Sequence, residues 1–243
     1  RISADITSYM NGYKDPRRAK YFTMSTFTGG IQNGYIGLRS GISIPTQSLL
    51  YSNMLVDYTT PLMWMNAAEV AFLKAEAALR GWYGSTADAR TFYEEGVRLS
   101  FEQWGLSGDC EAYLADATSL PASYVDPLGK ESNTGETGAI TVKWDERGDF
   151  ETNLEQIITQ KWLAIFPSGF EAWCEFRRTG YPRLMPATNN RSGGVIPQGG
   201  YANRMPYPVE EYQENNAHIN EALTLLGGPD NMATRLWWDC KVK

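Results

Sequence analysis

Met63-Trp64-Met65-Asn66-Ala67-Ala68-Glu69-Val70-Ala71-Phe72-Leu73-Lys74-Ala75-Glu76-Ala77-Ala78-Leu79-Arg80-Gly81-Trp82 decides how this chain is read. Met65, Ala68, Phe72, Ala75, Leu79 and Trp82 recur at helical steps, which places them on one face of a single helix, and the alanines let a neighbouring helix approach closely. Gly81 stops the helix. Beyond a short turn, Ala89, Phe92, Tyr93, Gly96, Val97 and Phe101 keep the same period, so a second helix follows and the two form a helical hairpin.

Gly81-x-Tyr83 at the turn, followed by Ala89, Tyr93 and Val97 at equal intervals, resembles the second half of a tetratricopeptide unit. An ordinary packed hairpin would use the same small and aromatic residues. No other segment repeats the pattern. A lone unit cannot cover its own apolar face, and such units need about three neighbours. Either other helices of this chain cap it, or part of the protein lies outside this sequence.

With 243 residues, 42% of them hydrophobic, the chain can bury a full core. A net charge of −6 argues against a phosphate-binding surface, so nucleic acid is not an expected partner. Aromatic residues make up 13%, including 8 Trp and 14 Tyr, more than a core of this size calls for, and such rings gather at recognition surfaces. Cys110, Cys174 and Cys240 are far apart; three free thiols are expected, one bridge plus one thiol being the alternative. No apolar run is long enough to span a bilayer, and there is no signal peptide. Because the chain starts at Arg1, an amino-terminal segment with its targeting information is expected to have been removed.

Along the chain, residues 1–60 are polar and turn-rich, with Asp15-Pro16, Gly29-Gly30, Asn33-Gly34 and Gly41, and read as loops with a small hairpin. The helical hairpin occupies 61–105. Residues 106–150 form a second loop-rich excursion in which Gly129, Gly135 and Gly138 flank Ile140-Thr141-Val142. The remainder, 151–243, mixes helices and loops. A third helix over about 153–166 carries Leu154, Ile157, Ile158, Lys161, Trp162 and Ile165 and ends at Pro167. A fourth presents Phe170, Trp173, Cys174 and Arg177 on one face and stops at Gly180. A last helix over about 216–226 buries Ile219, Leu223 and Leu226 and ends at Gly227-Gly228.

Catalytic chemistry is poorly supplied. His218 is the only histidine, which excludes a multi-histidine metal site, and its polar surroundings fit a helix start. GxSxG, P-loop and GxGxxG motifs are absent, so no cofactor is expected. Asp145, Glu146, Asp149 and Glu151 could offer the paired acids of a glycoside hydrolase, but acids just before a helix also favour its positive end; their spacing does not match an EF-hand. Binding chemistry is better supplied: Tyr35 near Asn33, Tyr51 near Asn53, Trp144 near Asp145, and Tyr201 near Asn203 and Arg204 pair rings that stack on sugars with groups that bond hydroxyls. Each ring could equally be a lid over the core.

Several stretches together resemble the SusD/RagB family of Bacteroidetes outer-membrane nutrient-binding lipoproteins. They are Asp15-Pro16-Arg17-Arg18, Asn66 to Ala77, Tyr93-Glu94-Glu95-Gly96-Val97, Thr159-Gln160-Lys161-Trp162, Glu171-Ala172-Trp173, Arg177 to Pro182, Arg204-Met205-Pro206-Tyr207-Pro208 and Leu236-Trp237-Trp238-Asp239. In that family these motifs belong to the carboxy-terminal half of a longer protein. The resemblance implies a mainly α fold, a tetratricopeptide-like scaffold with long loops and minor β structure, forming part of one domain over 1–243. None of the cysteines lies at the start, so a lipid anchor is not expected on this chain.

By the same resemblance the protein sits lipid-anchored on the outer membrane. It works with its missing amino-terminal half, holds a glycan without turning it over, and delivers it to a SusC-like TonB-dependent transporter through the tetratricopeptide-like face. Peptide capture of the RagB type and a helical glycoside hydrolase using Asp145 and Glu151 are the alternatives. The motif residues read as architecture: Arg177 and Arg178 as ion pairs with Glu171 and Glu175, Trp237 and Trp238 as a seal on the end of the fold. The family supplies no fixed ligand set, so the site residues expected here are Tyr35, Asn33, Tyr51, Trp144, Asp145, Tyr201, Asn203 and Arg204.

Overall fold

In a computed structural model, residues 1–28, 34–61, 63–130 and 138–240 are described. They form two compact units, Arg1–Arg39 with Ser43–Met185, and Ser40–Ile42 with Pro186–Lys243.

The larger unit is built on the hairpin. Helix α3 (Ala67–Leu79) runs back along α4 (Asp88–Gln103), and α6 (Phe150–Ala164) packs on both. Ala68, Ala71, Phe72, Ala75 and Ala78 make the buried face of α3, so the alanine spacing does bring α4 close. Gly96 shows how close: a Cβ there would lie 2.8 Å from the Phe72 ring. Gly81 takes a left-handed φ of 71° in the connecting turn, which a side chain would strain. The expected helix is nevertheless too long at both ends. Asn66 caps it by accepting from the Ala68 and Glu69 amides, so Met63, Trp64 and Met65 lie outside it, and Trp82 stands exposed beyond the other end.

Residues 1–60 depart most from expectation. They contain a buried helix, α1 (Ala4–Gly12), and a single turn, α2 (Arg18–Tyr21), where the polar composition reads as loop. Helix α1 is capped by Ser3, buries Ile6, Tyr9 and Met10, and also buries Asp5, Thr7 and Ser8. Two of these polar residues are satisfied inside, Asp5 accepting from the Met185 amide at 2.7 Å and Thr7 from the Gly37 amide at 3.2 Å, while the buried Ser8 hydroxyl has no hydrogen-bond partner among the described residues. No strand forms among the described residues; two isolated bridges, Ser3 with Leu38 and Phe22 with Met54, are the only β pairing found there. The expected hairpin and minor strands are otherwise not seen, and Gly29-Gly30, Asn33 and Gly135 lie outside the described residues.

Arg17 is the centre of the larger unit. Its guanidinium, fully buried, bonds Asp15 at 2.6 and 3.0 Å, the Ser100 hydroxyl of α4 at 2.8 Å, Gln160 of α6 at 3.2 Å and the Tyr113 hydroxyl of α5 (Cys110–Leu114) at 3.3 Å. It also lies over the Phe101 ring at 4.7 Å. A buried cation is tolerable only with this many partners.

A second ionic lattice joins α3, α6 and α7 (Gly169–Thr179). Lys161 pairs with Glu69, Glu171 and Glu175, and Arg178 pairs with Glu175 and Glu76 at 2.6 Å. Burial works to raise the Glu76 carboxyl, but hydrogen bonds and charge from Arg178 and Arg80 outweigh it and hold Glu76 below the usual range. This lattice reverses the expected face of α7: Glu175, Phe176 and Thr179 are buried, and Phe170 is exposed. Arg178 is ion-paired as expected, Glu171 bonds Lys161 instead, and Arg177 lies over the Trp173 ring at 4.1 Å.

The smaller unit holds α8 (Val209–Glu214) and α9 (Asn216–Leu226), the latter closing at Gly227 in a left-handed conformation and burying Ile219. Its end is not sealed by both tryptophans: Trp238 is half-buried, but Trp237 is 90% exposed. Cys110, Cys174 and Cys240 are free thiols, and burial, aided by Glu111, pushes Cys110 up to about 11. Among the described residues no helix is long and apolar enough to cross a membrane.

Candidate functional site

The described residues between Asn53 and Asn66 are held at the two ends of the segment and largely exposed between them. The Thr23 amide donates to the Asn53 carbonyl and the Leu55 amide to the Tyr21 carbonyl, both at 2.9 Å. At the other end the Asn66 side chain, besides capping α3, donates to the Ala164 carbonyl at 3.0 Å. Between these anchors Asp57 builds a turn, accepting from the Thr59 amide and hydroxyl at 2.8 and 2.7 Å. Those bonds, led by the Thr59 hydroxyl, hold the Asp57 carboxyl below its ordinary range, so it stays an ionised acceptor.

The consequence is a row of apolar side chains with no core to enter. Trp64 is 89% exposed, and Tyr58, Met65, Leu55 and Val56 are exposed beside it. Below them opens a cleft of about 400 Å³ lined by, among others, Lys20, Asp57, Trp64, Trp104, Phe166 and Ser168. An open indole face, an apolar floor and charged groups at the rim are the ingredients of a site that stacks on a ring and bonds its hydroxyls.

The residues expected from sequence are not brought to this cleft. Tyr51 is buried: its ring packs on Phe27 at 4.8 Å and its hydroxyl donates to Asp126 at 2.6 Å. Trp144, 9% exposed, packs on Tyr93 at 5.3 Å in the main core, with an edge at a charged groove formed by Arg90, Glu94, Arg98 and Glu111. Both are lids over the core. Tyr35 is half-buried under the Arg18 guanidinium and borders a separate cleft of about 220 Å³ with Asn11 and Tyr124. Asn33 lies outside the described residues.

The acids on which the glycoside-hydrolase alternative would draw are occupied locally. Asp145 accepts from the Arg147 amide at 2.9 Å, Asp149 caps α6 through the Thr152 amide at 2.8 Å, Glu146 pairs with Arg90, and Glu151 accepts from the Tyr181 hydroxyl at 2.8 Å. In the smaller unit Asn203 donates to the Ala233 carbonyl at 2.8 Å, and Arg204 pairs with Asp230 and lies 4.8 Å from the Tyr207 ring centroid; Tyr201 is half-buried. Trp64, the most open ring of the cleft, was assigned by period to the lead-in of a helix. The signal against that is Asn66-x-x-Glu69, a helix-start signature that puts everything before it outside the helix.

The family described as SusD and RagB outer membrane lipoproteins matches residues 1–239. The chain belongs to the SusD-like family. A SusD homologue from Bacteroides uniformis ATCC 8492 is 50% identical, with a TM-score of 0.91 over 98% of this chain and 49% of its own. One from Bacteroides thetaiotaomicron VPI-5482 is 46% identical, with a TM-score of 0.90 over 100% of this chain and 52% of its own. A chitin-binding SusD homologue from Flavobacterium johnsoniae is 42% identical, with a TM-score of 0.89 over 100% of this chain and 50% of its own. The chain thus spans about half the length of these solved SusD homologues. A comparison with curated proteins finds no match. The mainly helical, tetratricopeptide-like architecture is that of the SusD-like structures, and glycan binding is a property found within the family.

Proposed function

We propose that this SusD-like chain captures a glycan non-catalytically, with a sugar ring stacked on Trp64 and its hydroxyls bonded from Asp57 and Lys20. Exposure carries the reading: an indole standing in solvent above a cleft loses water only when a ligand covers it. The chitin-binding relative supports a glycan as the class of ligand. Non-catalytic capture is favoured because Asp145, Glu146, Asp149 and Glu151 are spent on turns, a helix cap and local bonds. By family, the protein is lipid-anchored at the cell surface, is completed by an amino-terminal half, and delivers its ligand to a SusC-like TonB-dependent transporter.

The test is a glycan-array screen followed by calorimetry on the chain and its Trp64→Ala variant. Saturable binding to one glycan class, weakened at least about tenfold in the variant with its melting unchanged, supports capture at Trp64. Equal binding by the variant moves the site elsewhere. No glycan bound, with peptides bound instead, replaces the reading by peptide capture.

A further inference from the structure

Ser8 is 3% exposed, and its hydroxyl has no hydrogen-bond partner among the described residues, although its carbonyl accepts from the Ala122 amide at 2.9 Å. A buried hydroxyl left in that state is a cost to the fold unless something else bonds it. Ser8 lines the cleft of about 220 Å³ that Tyr35 borders, and none of the residues found along that cleft lines the one below Trp64. The other polar groups of its wall are committed. The Thr7 hydroxyl donates to the Ala4 carbonyl at 3.0 Å, Asn11 to the Tyr35 carbonyl at 2.7 Å, and the Tyr124 hydroxyl to the Gly37 carbonyl at 2.8 Å. Ile36, Ala122 and Val125 add apolar surface. The cleft thus sets one open hydroxyl among carbon walls.

Its size and chemistry define what fits. Pockets that enclose a whole drug-sized ligand run to roughly 300–1,000 Å³, so this one takes a single unit of a larger molecule. The group that meets Ser8 must bring one hydroxyl on a slim apolar stem. The hydroxyls on a sugar ring stand on adjacent carbons, and burying one beside its neighbour leaves the second without a partner. A hexose hydroxymethyl arm has the required form, one CH₂ and one hydroxyl. We infer that this cleft is a second sugar subsite, which takes one hexose unit beside Tyr35 with its hydroxymethyl group bonded to Ser8, and which rejects pentoses. The inference rests on the glycan reading given above for its class of ligand, and places it at a separate site.

Methyl β-D-glucopyranoside and methyl β-D-xylopyranoside share their ring and ring hydroxyls and differ only in the hydroxymethyl group. Amide-resolved NMR titration of the Trp64→Ala chain is expected to shift Ser8, Ile36, Ala122 and Val125 with the glucoside. The xyloside should bind at least about fivefold more weakly, the ratio that one hydrogen bond and one buried methylene provide. Adding Ser8→Ala brings the two affinities within about twofold without lowering the melting of the sugar-free chain, because the hydroxyl bonds nothing in the protein. Adding Ala122→Leu, which narrows the cleft, removes the shifts while circular dichroism shows a folded chain. Equal affinity for the two glycosides overturns the inference, as does a preference that survives Ser8→Ala. A Ser8→Ala chain that melts early and keeps the preference assigns the hydroxyl to a buried water instead. Shifts confined to the Trp64 cleft of the unaltered chain and lost in Trp64→Ala overturn the second subsite and leave the first standing. Absence of binding by either glycoside to either chain also overturns this subsite, while capture at Trp64 is decided separately by the array screen.

Discussion

Arg17 and Trp64 exchange the places that hydrophobicity alone would give them. The guanidinium is fully buried and the indole is 89% exposed. Around Arg17, Asp15, Ser100, Tyr113 and Gln160 supply partners from four parts of the chain, so the charge has been moved from water to an equally polar interior site. Around Trp64 the chain is held by backbone bonds at one end and Asn66 bonds at the other, and among the described residues the ring stands open to solvent. Burial here follows completeness of partners, and the exposed ring is where we propose that a ligand supplies one.

The comparison is broken most severely at Arg17. Arg17→Ala leaves the buried Asp15 without its ion-pair partner, keeping only the backbone amide of residue 17, and empties the space beside Phe101, so a loss of about 3–5 kcal/mol is expected in urea unfolding, a large share of a domain's stability. A chain that kept its midpoint would show that the buried lattice is dispensable. Trp144→Ala comes next, at about 3 kcal/mol, since the ring packs on Tyr93 in the core. Should Trp144→Ala melt like the unaltered chain, the ring would not be the core lid described above.

How much of this was legible beforehand follows from the same contrast. The α3–α4 pair was readable because alanine and aromatic spacing reports helix packing directly, and Gly96 against Phe72 is the outcome of that spacing. The family was readable because Asp15-Pro16-Arg17-Arg18 and Thr159-Gln160-Lys161 resemble its motifs in order along the chain, and in the fold Arg17 bonds Gln160. Helix α1 was not readable, because Asp5 and Thr7 look like loop residues until Met185 and Gly37 arrive from distant sequence to bond them. Which rings face solvent was not readable for the converse reason: a ring beside Asn or Asp in sequence says nothing about which side of the backbone is covered, and Tyr51 and Trp144 lie inward while Trp64 is exposed.

The ionic lattice of Lys161, Glu175, Glu76 and Arg178 gives a smaller, pH-dependent effect. Because Glu76 is held below its unfolded value, its contribution is fully present above the unfolded carboxylate range, about pH 4.3, and is lost as pH falls through the folded value. Arg178→Gln is therefore expected to shift acid unfolding to higher pH. At neutral pH it should cost about 1–2 kcal/mol, discounted because the guanidinium is partly exposed. An acid transition that does not move would show that Arg178 does not set the Glu76 carboxyl.

Trp64→Ala carries the smallest expected effect on stability and the sharpest test of the contrast. The ring gives up little buried area, so its melting should stay within about 0.5 kcal/mol of the unaltered chain. The same change removes the face on which a sugar would stack, and calorimetry should register at least about a tenfold loss of glycan affinity. Measured beside Trp144→Ala, the two substitutions should separate cleanly, one lowering stability and the other lowering affinity. A Trp64→Ala chain that unfolded early would place the ring in the structural framework, and the exposed side chains of Leu55, Val56, Tyr58, Trp64 and Met65 would lose their reading as a surface kept open for ligand.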